Sequence, residues 1–317
     1  MCSFFFVVLV IIISIDSVIS ANPGLVNADR SATKAIADSG SQTSSRQSTV
    51  RPSLVEQSDQ ELQKSLAIRM NESSDLRVFA LQAHDAPEIG GRFYEQLATS
   101  FCRNTLELNT RLTVPAPHIA NHKNAVQRDR ALNKLNQLCR SFLPEELNPR
   151  PFASPGDNNF LAQSKDPAMR ISNGLLNAHH VGDENALRQW TLEAMKLKDP
   201  YVLSRSPIGQ MKGQAFFQGA RYAGEDLQIF QSALGLSACD IGGNCNQPNF
   251  EVTWVCASQG ICESSYENLR IRLLRESGAT DAQVAEVLAL RTSMTEAILS
   301  ENVDAFFPKN SASPTAR

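Results

Sequence analysis

The sequence predicts an all-α fold of packed helical hairpins, stapled by disulfides and long enough for two lobes. Apolar residues recur at helical spacing, helix caps stand where the periodic segments begin, and cysteines come in regular pairs. Thr280 and Gln283 form a capping-box pattern, and Asp75 precedes another periodic segment. The sequence has no sustained apolar–polar alternation that would predict a strand, and no hairpin signal of the Asn-Gly type. One face of a predicted helix carries Leu187, Trp190, Ala194 and Leu197.

Residues 1–20 have the pattern of a secretory signal peptide. Residues 4–13 are all apolar, and the small residue Ser20 precedes Ala21. Ten residues span about 15 Å as a helix, half the hydrocarbon core of a bilayer. We therefore predict cleavage after Ser20, no stable membrane anchor afterwards, and a periplasmic or secreted protein. The first basic residue is Arg30, so an uncleaved anchor stays the alternative.

Composition divides the remaining chain into segments. No aromatic residue lies between Phe6 and Phe79, and such a polar segment cannot bury enough apolar surface to offset its ordering entropy. Prolines then interrupt the chain near its middle and exclude a long helix there. We predict a disordered polar linker at 21–57, a first helical lobe at 58–148, a Pro-rich connection at 149–167, a second helical lobe with the cysteine repeat at 168–307 and a flexible tail at 308–317.

Four cysteines form two copies of C-x-x-x-G-x-C. Cys239 and Cys245 bound the first copy, and Cys256 and Cys262 bound the second. Each copy follows an apolar helical stretch, so the first cysteine would lie in a last helical turn. A glycine in the left-handed conformation would then turn the chain back. We predict one local disulfide in each copy, with pairing between the copies as the alternative. A zinc site would use tighter knuckles.

Six cysteines remain once Cys2 is removed with the signal, and two of them lie outside the repeat. Cys102 and Cys139 lie on adjacent predicted helices, on either side of a connecting loop. In an antiparallel hairpin these positions approximately face each other. The six remaining cysteines thus form an even set, as expected of an exported protein with three disulfides.

The cysteine repeat also carries a resemblance. The paired C-x-x-x-G-x-C hairpin, the Trp254-Val255-Cys256 run and a helical pair ending in Ile298-Leu299 resemble a group of uncharacterised exported proteobacterial helical proteins. The resemblance covers about residues 76–307 and is most specific over 238–262. It implies a helical fold and a periplasmic or secreted setting, and it brings no catalytic residue, cofactor or substrate.

The sequence contains few signals of chemistry. The net charge of −3 offers no footprint for nucleic acid. His118 and His122 have the spacing of a zincin helix but lack its glutamate, so we predict no metal and no cofactor. Arg291 falls inside an apolar helical stripe, where a guanidinium must reach water or a carboxylate. We predict an ion pair for Arg291, with a lobe-interface or ligand contact as the alternative.

These observations favour an exported envelope protein that acts as a non-enzymatic helical binding or structural module. Its partner would be an envelope protein or a cell-wall component. The alternative is a cell-envelope hydrolase directed at peptidoglycan, with carboxylates from separate helices. A cleft with converging titratable groups of shifted pKa would favour the enzyme, and a broad apolar patch would favour the module.

Overall fold

The computed structural model describes residues 65–112, 124–147, 164–243 and 245–308. All of them belong to one unit of the chain, Asp59–Arg317. The predicted signal, linker, most of the Pro-rich connection and nearly all of the tail lie outside the described residues. Within these ranges twelve α-helices and a small sheet form, and the prediction of a disulfide-stapled, packed helical fold is confirmed. The boundaries of the two lobes stay a prediction.

The first six helices are α1 (Leu66–Glu72), α2 (Leu76–His84), α3 (Gly91–Leu112), α4 (Ala125–Cys139), α5 (Pro144–Leu147) and α6 (Pro167–Val181). The last six are α7 (Glu184–Leu197), α8 (Pro200–Arg205), α9 (Asp226–Gly242), α10 (Phe250–Gln259), α11 (Tyr266–Glu276) and α12 (Asp281–Leu299). Strands β1 (Gln210–Met211), β2 (Gln214–Phe217) and β3 (Ala220–Ala223) separate α8 from α9, and short 3-10 helices occupy Pro87–Ile89 and Val303–Phe306.

Several helices begin at the residues that the sequence indicated. Asp75 accepts hydrogen bonds from the backbone N–H groups of Arg77 and Val78 in the first turn of α2, and Thr280 and Gln283 complete both bonds of a capping box at α12. Asp183 caps α7 directly after Gly182, whose left-handed backbone ends α6. Cap chemistry therefore fixed these boundaries locally.

The largest core surrounds helix α9. From Ile229 to Cys239 every residue of α9 except Gln231 is buried, and the helix packs against α8, α11, α12 and the sheet. The buried hydroxyl of Ser237 donates to the carbonyl oxygens of Ala233 and Arg291, at 2.8 and 3.0 Å. These bonds satisfy a polar group that would otherwise be costly to bury.

The antiparallel sheet contradicts the expectation that no strand forms. Two-residue turns join its strands in the order β1-β2-β3. Lys212 and Gly213 have φ of 49° and 75°, and Gln218 and Gly219 have φ of 50° and 88°. Two consecutive residues of positive φ are typical of the turns that fit tight hairpins. The prediction was wrong because lysine and glutamine, and not asparagine, precede the glycine in these two turns.

Helices α6 and α7 pack closely through a glycine. A Cβ atom on Gly174 would lie 2.3 Å from Cε2 of Trp190, so the indole rests directly on the backbone of α6.

A hydrogen bond connects α4 to α10. Arg128 of α4 donates to the carbonyl oxygen of Ala257 near the end of α10, at 2.8 Å. This bond joins the first half of the sequence to the second. No helix of the described ranges is long and apolar enough to cross a membrane.

Candidate functional site

The structure contains the three predicted cysteine pairs. Cys102–Cys139 joins α3 to α4, with 5.4 Å between Cα atoms. Cys239–Cys245 and Cys256–Cys262 close the ends of α9 and α10, with Cα separations of 5.5 and 4.3 Å. The hairpin interpretation of the cysteine repeat therefore agrees with the structure in both copies.

The repeat glycines behave differently from each other. Gly260 has φ of 75° and ends α10 in the left-handed conformation, as predicted. Gly243 has φ of −110°, so the same prediction is wrong for the first copy. Helix α9 continues through Gly242, where a Cβ atom would lie 2.9 Å from Cδ of Pro200. Glycine at the end of α9 thus serves a close approach to α8.

Arg291 binds two carboxylates. Its guanidinium donates to Asp240 at 2.6 and 2.5 Å and to Glu267 at 2.7 Å. The hydrogen bonds to Asp240 are the largest cause that raises the pKa of Arg291 above its ordinary value. Asp240 follows Cys239 on α9, and Glu267 follows Tyr266 on α11. The network therefore connects the end of α9 to the start of α11. The residues next to its two carboxylates, Cys239 and Tyr266, line a cleft.

A cleft opens where α8, α9, α10 and α11 meet α1. Its cavity volume is about 40 Å³, and the cleft is open to solvent. Five separated parts of the chain contribute to its walls, so no local motif defines it. The lining residues are Asn71, Pro200, Tyr201, Ser204, Arg205, Gly235, Cys239, Gly243, Asn249, Glu251 and Tyr266.

Polar side chains meet in this cleft. The Tyr201 hydroxyl donates to Oδ1 of Asn71 at 2.9 Å, and Glu251 accepts a bond from Arg270 at 3.4 Å. Arg205 is exposed, and its guanidinium carbon lies 5.7 Å from the ring centroid of Tyr201. Among the described residues no carboxylate lies within ion-pair distance of Arg205. The cleft therefore presents one cation that has no ion-pair partner among the described residues.

The two phenols of the cleft are poor acids. Burial raises the pKa of Tyr201 well above 10 and that of Tyr266 to about 12, and the nearby charge of Glu251 adds to both shifts. Their hydroxyls consequently stay protonated at neutral pH and can donate hydrogen bonds. The shifted groups converge in a cleft, as the enzyme hypothesis requires, but neither shift moves a phenol toward a pKa useful for proton transfer at neutral pH.

A glycine lets the phenol of Tyr266 approach α9 closely. Gly235 lies in the middle of α9, where glycine is about 1 kcal/mol less favourable than alanine. A Cβ atom on Gly235 would lie 3.0 Å from the hydroxyl oxygen of Tyr266 and 3.8 Å from Nε of Arg270. The Tyr266 hydroxyl thus lies directly against the backbone of α9, at a cost in helix propensity.

A pair of carboxylates lies elsewhere, at Asp166 and Asp199. Asp166 accepts bonds from the backbone N–H groups of Phe93 and Met169, at 3.0 and 2.8 Å. Asp199 accepts a bond from the Tyr94 hydroxyl at 2.6 Å and caps α8. Burial raises the pKa of Asp199, and the charge of Asp166 adds to that shift. Because both carboxylates already bind backbone or phenol donors, we interpret the pair as structural.

Metal-binding groups and similarity to known proteins also bear on function. Within the described ranges, no group of three or more histidine, cysteine, aspartate or glutamate side chains could hold a metal ion. Comparisons with protein-family models, curated proteins and solved structures find no match for this chain. The cleft and the disulfides are therefore the features that indicate a function.

Sequence reasoning singled out the cysteines and Arg291 but missed the cleft. Its polar residues, such as Tyr201, Arg205 and Tyr266, come from helices far apart in the sequence. One local signal was present, because Gly235 interrupts an otherwise apolar helical run with the residue least suited to a helix interior. Such a glycine indicates a close approach, although the sequence does not say to what.

Proposed function

We propose that this protein is an exported, non-enzymatic helical binding module, whose cleft between α8, α9, α10 and α11 takes a small ligand. The three disulfides indicate an oxidising, extracytoplasmic environment. A periplasmic or secreted location, reached through cleavage after Ser20, is part of the proposal. So is membership of the exported proteobacterial group that the cysteine repeat resembles.

The content of the cleft carries the proposal. Its lining has a single carboxylate, Glu251, and Arg270 already binds that carboxylate. A glycosidase-type hydrolase needs two carboxyl groups about 5–9.5 Å apart on either side of the scissile bond. The remaining lining groups are amides, hydroxyls, one guanidinium and apolar surfaces, which can recognise a ligand. This composition favours binding over hydrolysis.

A ligand screen on the full, oxidised chain tests the binding function. Small molecules extracted from a bacterial envelope fraction should raise the melting temperature of the wild type, because a ligand that binds only the folded state stabilises it. Gly235→Ala should abolish this rise, since the added methyl group would push the Tyr266 hydroxyl from its position at the wall of the cleft. The matched control Arg221→Met, on exposed β3 away from the cleft lining, should keep it.

The same preparation tests the alternative. Incubation with peptidoglycan should release no soluble fragments. Release that disappears in Glu251→Gln would overturn the binding proposal in favour of the hydrolase. For export, residues 1–20 fused to a reporter enzyme that needs disulfides should give activity outside the cytoplasm, and a silent reporter would contradict the predicted signal.

A further inference from the structure

We propose that the cleft binds the carboxylate group of a small organic monoacid, with Arg205 and Tyr266 as the groups that hold it. This inference rests on the proposed binding function and names the class of ligand. It follows from the donors in the cleft that have no partner among the described residues, from the charge of the cleft, and from the position of the Tyr266 hydroxyl beside Gly235.

Three hydrogen-bond donors in the cleft have no partner among the described residues. The hydroxyls of Ser204 and Tyr266 and the guanidinium of Arg205 have no acceptor among the described residues, and all three groups line the same cavity. The one carboxylate, Glu251, already accepts a bond from Arg270. A ligand with acceptor oxygens can complete this set, because a guanidinium only donates and both hydroxyls can donate.

The charge of the cleft selects a monoanion. Glu251 and Arg270 neutralise each other, so Arg205 leaves one positive charge in excess. A carboxylate balances that charge, and its two oxygens fit the planar fork of a guanidinium. A phosphate dianion would leave a surplus negative charge close to Glu251. The geometry therefore favours a carboxylate over a phosphate.

The walls of the cleft suit a short organic chain. Pro200, the ring of Tyr201 and the Cys239 disulfide supply apolar surface. Gly235 lets the Tyr266 hydroxyl lie against α9 at the wall of the cleft, where a Cβ atom would be at 3.0 Å. A ligand with a few carbons behind its carboxylate can thus place its charge at Arg205 and its carbons against these surfaces.

Propionate is the probe. The full, oxidised chain is titrated with sodium propionate, with sodium chloride at matched ionic strength as reference, and the arginine Nε–Hε resonances are followed by NMR. The Arg205 resonance should shift saturably with propionate and should not saturate with chloride or inorganic phosphate. Saturation with phosphate but not propionate would overturn the choice of a carboxylate.

Variants assign the site. Arg205→Met should weaken propionate binding about tenfold to a hundredfold, the loss expected for a charged hydrogen-bonding partner, followed through the tyrosine resonances. Arg205→Lys keeps the charge without the fork and should lose less. Arg221→Met, an exposed arginine on β3, should bind as the wild type does. Equal affinity in Arg205→Met and the wild type would overturn the proposal.

Gly235→Ala separates this proposal from the broader binding function. It should lose propionate binding while its melting temperature stays equal or rises, because alanine suits a helix interior better than glycine. If an uncharged ligand stabilises the wild type and not Gly235→Ala, the cleft binds ligands but the carboxylate assignment is wrong. If no ligand of any class depends on residue 235, the binding function itself is wrong.

Discussion

Removal of the Cys102–Cys139 disulfide should destabilise the protein more than removal of Cys256–Cys262. The two disulfides join residues 37 and 6 positions apart. In the chain-entropy model the longer loop corresponds to about 4 kcal/mol of stability and the shorter one to about 2 kcal/mol. Each double Cys→Ala replacement removes two sulfur atoms, so the losses of local packing largely cancel when the two variants are compared.

Equilibrium urea unfolding of the two double variants and the wild type measures this difference. The free energy of unfolding should fall by about 1.5 kcal/mol more for the 102/139 variant than for the 256/262 variant. Equal losses, or a larger loss for 256/262, would refute the reasoning from loop length. Non-reducing peptide mapping on the wild type serves as the control, and a peptide that joins Cys239 to Cys256 would show that the wrong pairs were compared.

Three further substitutions test particular contacts. Arg291→Met strands two half-buried carboxylates and should reduce stability by about 2 kcal/mol, whereas Arg272→Met, at an exposed helical pair, should change it by less than about 0.5 kcal/mol; equal effects would contradict the role of the network. Arg77 donates hydrogen bonds to Glu146 and lowers the pKa of that carboxyl below its ordinary value of 4.5, so the stability it contributes is present above the unfolded-state pKa and is lost as pH falls through the lowered folded-state pKa. Glu146→Gln should flatten this part of the acid unfolding profile, and an unchanged profile would show that the pair contributes nothing. Gly174→Ala should overpack the indole and destabilise by about 1–3 kcal/mol in thermal unfolding, and a neutral result would mean that the two helices move apart freely.

Local signals in the sequence predicted much of the helical structure. Asp75 and Thr280 cap helices because their side-chain oxygens satisfy backbone N–H groups a few residues away. The cysteine spacing likewise predicted local bridges, because seven residues that end a helix and turn back bring their two ends together. In each case the interacting groups lie close in sequence.

Features that depend on contacts between distant segments were not predictable. The turns at Lys212 and Gln218 adopt positive φ without an asparagine, so the hairpins carried no recognisable turn signal. Helix α9 continues to Gly242, and Gly243 follows it without a left-handed backbone. The missing side chain of Gly242 lets Pro200 of a distant segment approach. The cleft depends on how α8, α10 and α11 pack around α9, and tertiary packing leaves no spacing pattern in the sequence.

A crystal structure of the full, oxidised chain grown with sodium propionate tests the central claim most directly. The account predicts a propionate in the cleft, with its carboxylate within hydrogen-bond distance of the Arg205 guanidinium and the Tyr266 hydroxyl and its carbons against Pro200. An empty cleft at a propionate concentration that saturates the wild type in solution, or a propionate bound elsewhere on the chain, would contradict it.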